Sequence, residues 1–215
     1  MHHDEKLFTN FQVRKTITSA KKLGNGWRAL VETKVKNFLV TGRPGIGKTT
    51  CLTRTVEILT SRGVSVGGMV TYEVREKGER IGFNIRDVFT GKEGVLARVG
   101  LASGPRVGKY TVNLHDLETT GVEAIRSALR ECQVVVIDEI GPMELYSKSF
   151  LAAVTSALNS EKPVIATIHE RAQSFEEGRR ILGRSDVKLY TLTLANREAM
   201  PSRIAREVAS LLSKK

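Results

Sequence analysis

The segment at residues 42–50, Gly-Arg-Pro-Gly-Ile-Gly-Lys-Thr-Thr, constrains the fold more than any other part of the chain. It matches the pattern G-x-x-x-x-G-K-[S/T] in full. An apolar stretch at 35–41 predicts a strand before it, and the helical spacing of the apolar residues that follow predicts a helix over 49–61. Glycines at these places let successive backbone N–H groups point into one concavity at a helix N-terminus. The segment therefore predicts a loop that binds a polyphosphate.

Two adjacent acids follow a second constraining feature, the apolar run Val-Val-Val-Ile at 134–137. Such a run is typical of a strand buried on both faces, and it leads directly into Asp138 and Glu139. In phosphate-loop enzymes the first acid of this strand holds Mg²⁺, so we assign that role to Asp138. Glu139 is then placed to orient or deprotonate an attacking water. The alternative is that the two acids only cap the helix predicted over 147–160.

The predicted site joins the loop to this strand. Lys48 is expected to reach the β- and γ-phosphates, and the Thr49 hydroxyl is expected to ligate Mg²⁺ together with Asp138. The residues predicted to contact the nucleotide are Gly42, Arg43, Pro44, Gly45, Ile46, Gly47, Lys48, Thr49, Thr50, Val135, Val136, Ile137, Asp138, Glu139, Ile140, Gly141 and Pro142.

The second acid bears on the type of reaction. A hydrolase must hold a water in line with the phosphate, whereas a kinase must exclude water and position an acceptor hydroxyl. An acid directly after the metal-binding acid therefore favours Mg²⁺-dependent hydrolysis of nucleoside 5′-triphosphates, ATP and GTP among others, to diphosphate and phosphate. Because the triphosphate would carry most of the binding energy, discrimination among bases should be weak. Two alternatives stay open: a nucleotide or nucleoside kinase, and a nucleic-acid-binding protein with a regulatory nucleotide site.

From residue 35 onward, predicted strands and helices alternate. Further strands are predicted at 64–74, 109–114, 163–168 and 187–194, and further helices at 174–182 and 196–213. Glycines divide two β-type stretches within 80–100, which predicts an antiparallel hairpin. The sequence Thr-Gly-Val-Glu at 120–123 has the form of a capping box and predicts the start of another helix. The alternation predicts an α/β fold in which helices cover both faces of a largely parallel sheet and ligands bind at the strand C-termini.

The stretch at 138–145, Asp-Glu-Ile-Gly-Pro-Met-Glu-Leu, resembles the signature that follows the magnesium strand in nucleoside-triphosphatases of the Thep type. The segments at 80–83, 106–110 and 196–197 resemble further segments of that family. The resemblance spans about 35–213 and implies a three-layer, RecA-like P-loop NTPase fold with a mostly parallel central sheet. It also implies Mg²⁺-dependent hydrolysis of several nucleoside triphosphates.

Arginines are candidates for a further catalytic role, because phosphoryl transfer spreads negative charge over the phosphate oxygens. Arg197 follows the last predicted strand and joins Lys48 and Glu139 as a predicted catalytic residue. Arg80 precedes the Gly-Phe pair of the predicted hairpin, and Arg106 lies in a glycine-rich loop. Any one of these three arginines could supply, from within the same chain, the positive charge that stabilises the phosphate oxygens during transfer. A surface salt bridge is the alternative for each of them.

Three other polar residues are ambiguous. Glu144 is either a support for the metal site or an ordinary acid in the first turn of a helix. His169 ends a predicted strand, where it is either a phosphate sensor or a hydrogen-bonded structural histidine. Asn196 is predicted to cap the last helix, with a contact to the nucleotide base as the alternative.

Composition excludes several classes of protein. No apolar run approaches the ~18 to 20 residues that a transmembrane helix needs, and residues 1–15 lack the apolar centre of a signal peptide. Two cysteines, Cys51 and Cys132, are too few for a disulfide scaffold, so a reducing cytoplasm is the expected location. No feature suggests an obligate interface, so a monomer is expected.

The chain carries 34 Lys and Arg against 23 Asp and Glu, a net charge of +11. This excess favours polyanionic partners: nucleoside triphosphates first, with nucleic acid as an open alternative. Residues 1–34 lie outside the alternating pattern and hold scattered apolar residues among Lys and Arg. We therefore divide the chain into an N-terminal basic arm or small extension at 1–34 and a P-loop NTPase domain at 35–215.

Overall fold

One mixed sheet runs through residues 34–213, the part of the chain that this computed structural model describes. In that part the sheet has nine strands, in the spatial order β5-β6-β4-β3-β2-β7-β8-β1-β9. The strands are β1 (Asn37–Thr41), β2 (Val66–Glu76), β3 (Glu79–Asp87), β4 (Glu93–Arg98), β5 (Arg106–Val107), β6 (Tyr110–Val112), β7 (Val134–Ile140), β8 (Val164–Ile168) and β9 (Val187–Thr191). The predicted arm at 1–34 lies outside the described residues, except for Lys34.

Half of the sheet is parallel. Strands β2, β7, β8, β1 and β9 pair in parallel, and β8 lies between the strand that precedes the phosphate loop and the strand that carries the two acids. The carboxyl ends of parallel strands meet at one edge of the sheet, so the loop after β1 and the acids at the end of β7 lie at the same edge.

Helices cover both faces of the parallel half. The helices are α1 (Lys48–Thr60), α2 (Leu114–Asp116), α3 (Glu123–Glu131), α4 (Lys148–Asn159), α5 (Glu176–Leu182) and α6 (Met200–Leu212). Val134 and Val136 pack on one face with α1 and α6, while Val135 and Ile137 pack on the other face with α3, α4 and α5. This alternation reflects the two-residue period of a strand. The predicted three-layer α/β fold is confirmed.

The antiparallel part is larger than the predicted hairpin. Strands β3 and β4 form that hairpin, but β2 continues past its parallel pairing with β7 and pairs antiparallel with β3 from Met69 to Glu76. The short strands β5 and β6 then extend the sheet beyond β4. Because β2 belongs to both halves, it brings the antiparallel half directly beside the strand that carries the acids.

Two predicted helix starts are wrong. Thr120 lies inside a π-helical turn, Leu117–Val122, that joins α2 to α3 without a break. The side chain that caps this helical segment is Asn113, which accepts a hydrogen bond from the backbone N–H of Asp116. The last helix begins at Met200, and Asn196 instead binds backbone atoms of Thr191 and Thr193 in the preceding turn.

Among the described residues, no helix combines the length and the apolar character that crossing a membrane requires.

Candidate active site

The phosphate loop depends on glycines in conformations that other residues rarely adopt. Gly42, Gly45 and Gly47 have φ angles of 149°, 75° and 103°. At Gly42 a Cβ atom would also lie 2.9 Å from the backbone oxygen of Leu192. Both the φ angle and this close contact therefore disfavour any side chain at position 42. Gly47 is the N-cap of α1, and no side chain caps the backbone N–H groups of the first turn. These donors therefore stay available to an anion.

Lys48 begins α1 and turns back over the loop. Its Nζ donates a hydrogen bond of 3.2 Å to the backbone oxygen of Gly42 and lies 3.9 Å from Oε2 of Glu139. The side chain is only 11% exposed, so its charge is concentrated in the site rather than dispersed into solvent.

Asp138 is buried and heavily hydrogen-bonded. Its Oδ2 accepts bonds from the hydroxyls of Thr49 at 2.8 Å and Thr71 at 3.2 Å, and its Oδ1 accepts one from the hydroxyl of Thr167 at 2.5 Å. Burial raises the pKa of this carboxyl above its usual range, while these hydrogen bonds oppose the rise. Because Asp138 is only 1% exposed, a positive charge beside it would favour the ionised form of its carboxyl.

A β-bulge at the end of β7 sets the directions of the two acids. Ile137 pairs with Ala166 of β8, but the next pairing is Ile140 with Ile168, so β7 contains one residue more than its partner between these pairs. A bulge re-aims side chains and is common beside active sites. Asp138 reaches the threonines at the sheet edge, and Glu139 faces the open side of the loop.

Glu139 has one oxygen beside Lys48 and one without a partner. Within the described part of the chain, Oε1 is buried and makes no hydrogen bond. Burial raises the pKa of Glu139; Lys48 opposes the rise, and Asp138 and Glu170 add to it. A buried oxygen without a donor is costly unless a water or a ligand supplies one.

Two cavities adjoin the phosphate loop. The larger, of about 500 Å³, contains Lys48, Thr49 and Glu139 and extends to the antiparallel half of the sheet; it is lined by Pro44, Gly45, Gly47, Lys48, Thr49, Thr50, Thr71, Tyr72, Glu73, Arg80, Phe83, Glu139 and His169. The smaller, of about 220 Å³, is lined by Gly45, Ile46, Gly47, Thr50, Cys51, Arg54, Arg197 and Glu198. The loop thus has a cavity that includes the predicted base and another that includes Arg197.

Comparison with known proteins decides the family. The profile of a protein family described as NTPase matches residues 37–205, which include the loop, both acids and all nine described strands. The chain belongs to this NTPase family. Its predicted fold and its enzyme class, a nucleoside-triphosphatase, are confirmed, and members of this class generally use a divalent metal.

Individual proteins similar to this chain are also nucleoside-triphosphatases. The nucleoside-triphosphatase THEP1 of Thermofilum pendens is 65% identical over 179 residues, which cover 83% of this chain and 98% of that protein. THEP1 of Methanosarcina acetivorans is 48% identical over 171 residues, covering 77% of this chain and 92% of that protein.

Two solved structures resemble the fold. THEP1 from Aquifex aeolicus has a TM-score of 0.68 and 33% identity, covering 80% of this chain and 98% of that one. A human cancer-related nucleoside triphosphatase has a TM-score of 0.70 and 37% identity, covering 82% and 98%.

In this NTPase the predicted site residues divide by position. Lys48 lies beside Glu139, and Thr49 beside Asp138, at one edge of the sheet. Arg197 lies on the other cavity and pairs with Glu198, which also binds Arg54. Four predicted contacts are fully buried in the sheet, where they hold β7 in place; these are Val135, Val136, Ile137 and Ile140. Arg43 is exposed, and Gly141 and Pro142 line a third cavity beside Glu139.

Two threonines of the NTPase site are absent from the sequence prediction. Thr71 and Thr167 donate to Asp138 from β2 and β8, the strands on either side of β7. The signal that could have revealed them is position: Thr167 is the penultimate residue of β8, near the edge where the carboxyl ends of parallel strands converge.

Glu144 and His169 border this site. Burial, together with the charges of Glu139 and Asp138, raises the pKa of Glu144 to about 8. Glu144 and Glu139 line the third cavity, of about 200 Å³, with apolar residues such as Phe83. His169 lines both this cavity and the larger one, and its Nδ1 accepts a hydrogen bond from the backbone of Arg171.

Proposed function

We propose that this NTPase hydrolyses nucleoside 5′-triphosphates to diphosphate and phosphate with Mg²⁺, and that Glu139 positions and deprotonates the attacking water. One observation carries the proposal: Oε2 of Glu139 lies 3.9 Å from Lys48 Nζ, while its buried Oε1 has no partner among the described residues. A water that donates to Oε1 would satisfy this oxygen. The raised pKa of Glu139 makes the carboxylate a stronger base than an exposed glutamate.

The loop and Lys48 would hold the triphosphate. The backbone N–H groups at the start of α1 lack a side-chain cap, and the positive end of the helix favours negative charge. Among the residues that the structure describes, the partners of Lys48 Nζ are a backbone oxygen and a distant carboxylate, so a phosphate oxygen would be a better acceptor for its charge.

The donor set fits a hard divalent cation. Thr49 lines the phosphate cavity and its Oγ1 lies 2.8 Å from Oδ2 of the buried Asp138, and oxygen ligands are those that Mg²⁺ prefers. Thr49 and Asp138 would hold the ion, while Thr71 and Thr167 keep the carboxylate oriented. When bound, Mg²⁺ neutralises charge on the phosphates.

Weak discrimination among bases stays part of the proposal. Arg197 would contact the nucleotide from the smaller cavity, where no described aromatic side chain offers a stacking surface. The phosphates would then supply most of the binding energy. Because Arg197 is not among the residues that line the cavity of Glu139, the transfer step would need its positive charge from another side chain.

Phosphate release tests the proposal. The purified protein should release phosphate from ATP, GTP, CTP and UTP with Mg²⁺ and without an added acceptor, whereas a kinase would be nearly silent. Glu139→Gln should bind nucleotide normally and lose ~10² to 10⁴-fold in turnover. Glu161→Gln, at an exposed position outside the three cavities, serves as the control. Parental turnover in Glu139→Gln would rule out the assigned base.

Location and assembly are also proposals. A cytoplasmic location is supported by the two buried free thiols, Cys51 and Cys132. A monomer is the expected state, and light scattering coupled to gel filtration would test it.

A further inference from the structure

One arginine shares a cavity with the proposed base. Arg80, in β3, lines the cavity of about 500 Å³ together with Lys48, Thr49 and Glu139. The other two candidates are placed differently: Arg106 is exposed and lines none of the three cavities beside the loop and the acids, and Arg197 lines the smaller one. Of the three, Arg80 alone lines the cavity that contains Lys48 and Glu139, and it does so from the antiparallel half of the sheet.

Aromatic side chains hold the guanidinium of Arg80. Its carbon Cζ lies 5.1 Å from the ring centre of Phe83 and 5.7 Å from that of Tyr110. The two rings meet edge to face at 5.3 Å, and Nε donates a 2.9 Å hydrogen bond to the Tyr110 hydroxyl. Cation–π contacts and a directed hydrogen bond orient a planar guanidinium before any ligand arrives, so less entropy is lost on binding.

The outer edge of the guanidinium keeps donors for a ligand. Nη1 donates a 2.6 Å bond to Oε1 of Glu73, and Nη2 makes no hydrogen bond to any described residue. The side chain is 41% exposed, although its Cζ lies within 6 Å of two ring centres. Nη2 is therefore open to an acceptor in the cavity.

The charge of Glu73 has a second cationic partner besides Arg80. Its Oε2 accepts two bonds from Arg75, at 3.1 Å from Nε and 2.7 Å from Nη2. If Arg80 turned toward another anion, the charge of Glu73 would stay paired. A triphosphate carries several negative charges, so it competes well with one half-exposed carboxylate for this guanidinium.

We propose that Arg80 is the catalytic arginine of this NTPase: it contacts the γ-phosphate oxygens during transfer, and Glu73 is its partner when no nucleotide is bound. The inference rests on the proposed function and adds a second cation, supplied by the antiparallel strands, to Lys48. The stabilisation acts on the charge that develops on the transferred group.

Steady-state kinetics with Mg²⁺ and ATP test the inference. Arg80→Ala should lower kcat by ~100-fold or more, with a smaller change in KM. Arg75→Ala is the matched control, because it removes the other arginine on Glu73 and Arg75 itself does not line the cavity; its kcat should stay within threefold of the parent. Glu73→Gln removes the competing carboxylate and should lower KM. The thermal midpoint of each variant shows whether it folds.

Chemical rescue separates catalysis from support of the strands. Methylguanidinium added to Arg80→Ala should restore part of the lost rate, and it should have no effect on Lys48→Ala. Should Arg80→Ala not fold, Arg80→Lys replaces it: it keeps the charge but loses the planar fork, and should lower kcat without rescue.

The outcomes that overturn the inference are distinct from those that overturn the function. Parental kcat in Arg80→Ala, or an equal loss in Arg75→Ala, shows that Arg80 only supports the β2–β3 pair. If instead the parental chain releases no phosphate, the proposed function fails and this inference falls with it.

Discussion

The hydroxyl of Thr49 donates a 2.8 Å hydrogen bond to Oδ2 of Asp138, although 89 positions separate the two residues. This bond ties the first turn of α1 to the tip of β7 across the edge of the sheet. Thr49 belongs to the phosphate loop and lines its larger cavity, so this pair would join the proposed anion-binding and cation-binding parts of the site. The pairing makes the metal assignment directly testable.

Thr49→Ala should raise the Mg²⁺ concentration that gives half-maximal hydrolysis by ~10-fold or more, because one oxygen ligand is lost and Asp138 loses a donor. Titrating the rate with Mg²⁺ at saturating ATP measures this shift. Thr60→Ala is the control, since that hydroxyl lies at the far end of α1 and donates to the backbone oxygens of Val56 and Glu57. An unchanged Mg²⁺ requirement in Thr49→Ala would remove Thr49 from the metal site.

Thr167→Val should destabilise the protein and weaken its response to Mg²⁺. The fully buried Thr167 hydroxyl donates to Oδ1 of Asp138, and a valine of nearly the same shape leaves that oxygen without this donor. We expect the free energy of unfolding to fall by about 1–3 kcal/mol, as measured by chemical denaturation. Thr155→Val, at an exposed hydroxyl of α4 that donates to the backbone oxygen of Leu151, should change it much less. Equal effects at both positions would contradict the proposed support of Asp138.

Local patterns predicted the loop, the two acids and the layers. The loop depends on spacing within nine residues, and the burial of β7 is visible in a four-residue apolar run. Each of these features is decided by neighbours in the chain, so the sequence alone reveals it.

Contacts between distant segments could not be read in the same way. Thr71 reaches Asp138 because β2 lies beside β7 in a particular register, and strand register is set by packing across the whole sheet. The capping-box prediction at Thr120 failed for a related reason. A Cβ at Gly121 would lie 3.1 Å from Met69 Sδ, so this glycine marks a close approach between helix and sheet rather than a helix start.

Glu144 should make the stability of the protein fall as pH rises. Its pKa is raised to about 8 by burial, so the folded protein holds the proton more tightly than the unfolded chain does. The associated stability is fully present below the ordinary glutamate pKa of about 4.3 and is lost progressively as pH rises toward 8, by at most about 1.4 kcal/mol per pH unit.

Denaturation of the metal-free protein between pH 5 and 8 measures this slope. Asp138 and Glu139 also have raised pKa values and contribute with the same sign, so the difference between the parent and Glu144→Gln isolates Glu144. The glutamine variant should have a shallower slope, and Glu57→Gln, at an exposed position on α1, should keep the parental one. A parental slope in Glu144→Gln would show that Glu144 is charged in the folded state at these pH values.

Deleting residues 1–33 should leave nucleotide hydrolysis intact. The Thermofilum pendens relative is matched over 98% of its own length by 83% of this chain, and every residue assigned a role here lies after position 33. Comparing kcat and KM for ATP between the full chain and the shortened one measures the effect, and both values should agree within about twofold.

The deleted segment has six Lys and Arg against three Asp and Glu. If it contacts nucleic acid, only the full chain should bind single-stranded RNA with a steep salt dependence. Equal RNA binding by both forms would exclude the segment as the contact, and a large loss of hydrolysis in the shortened form would contradict the proposed domain boundary.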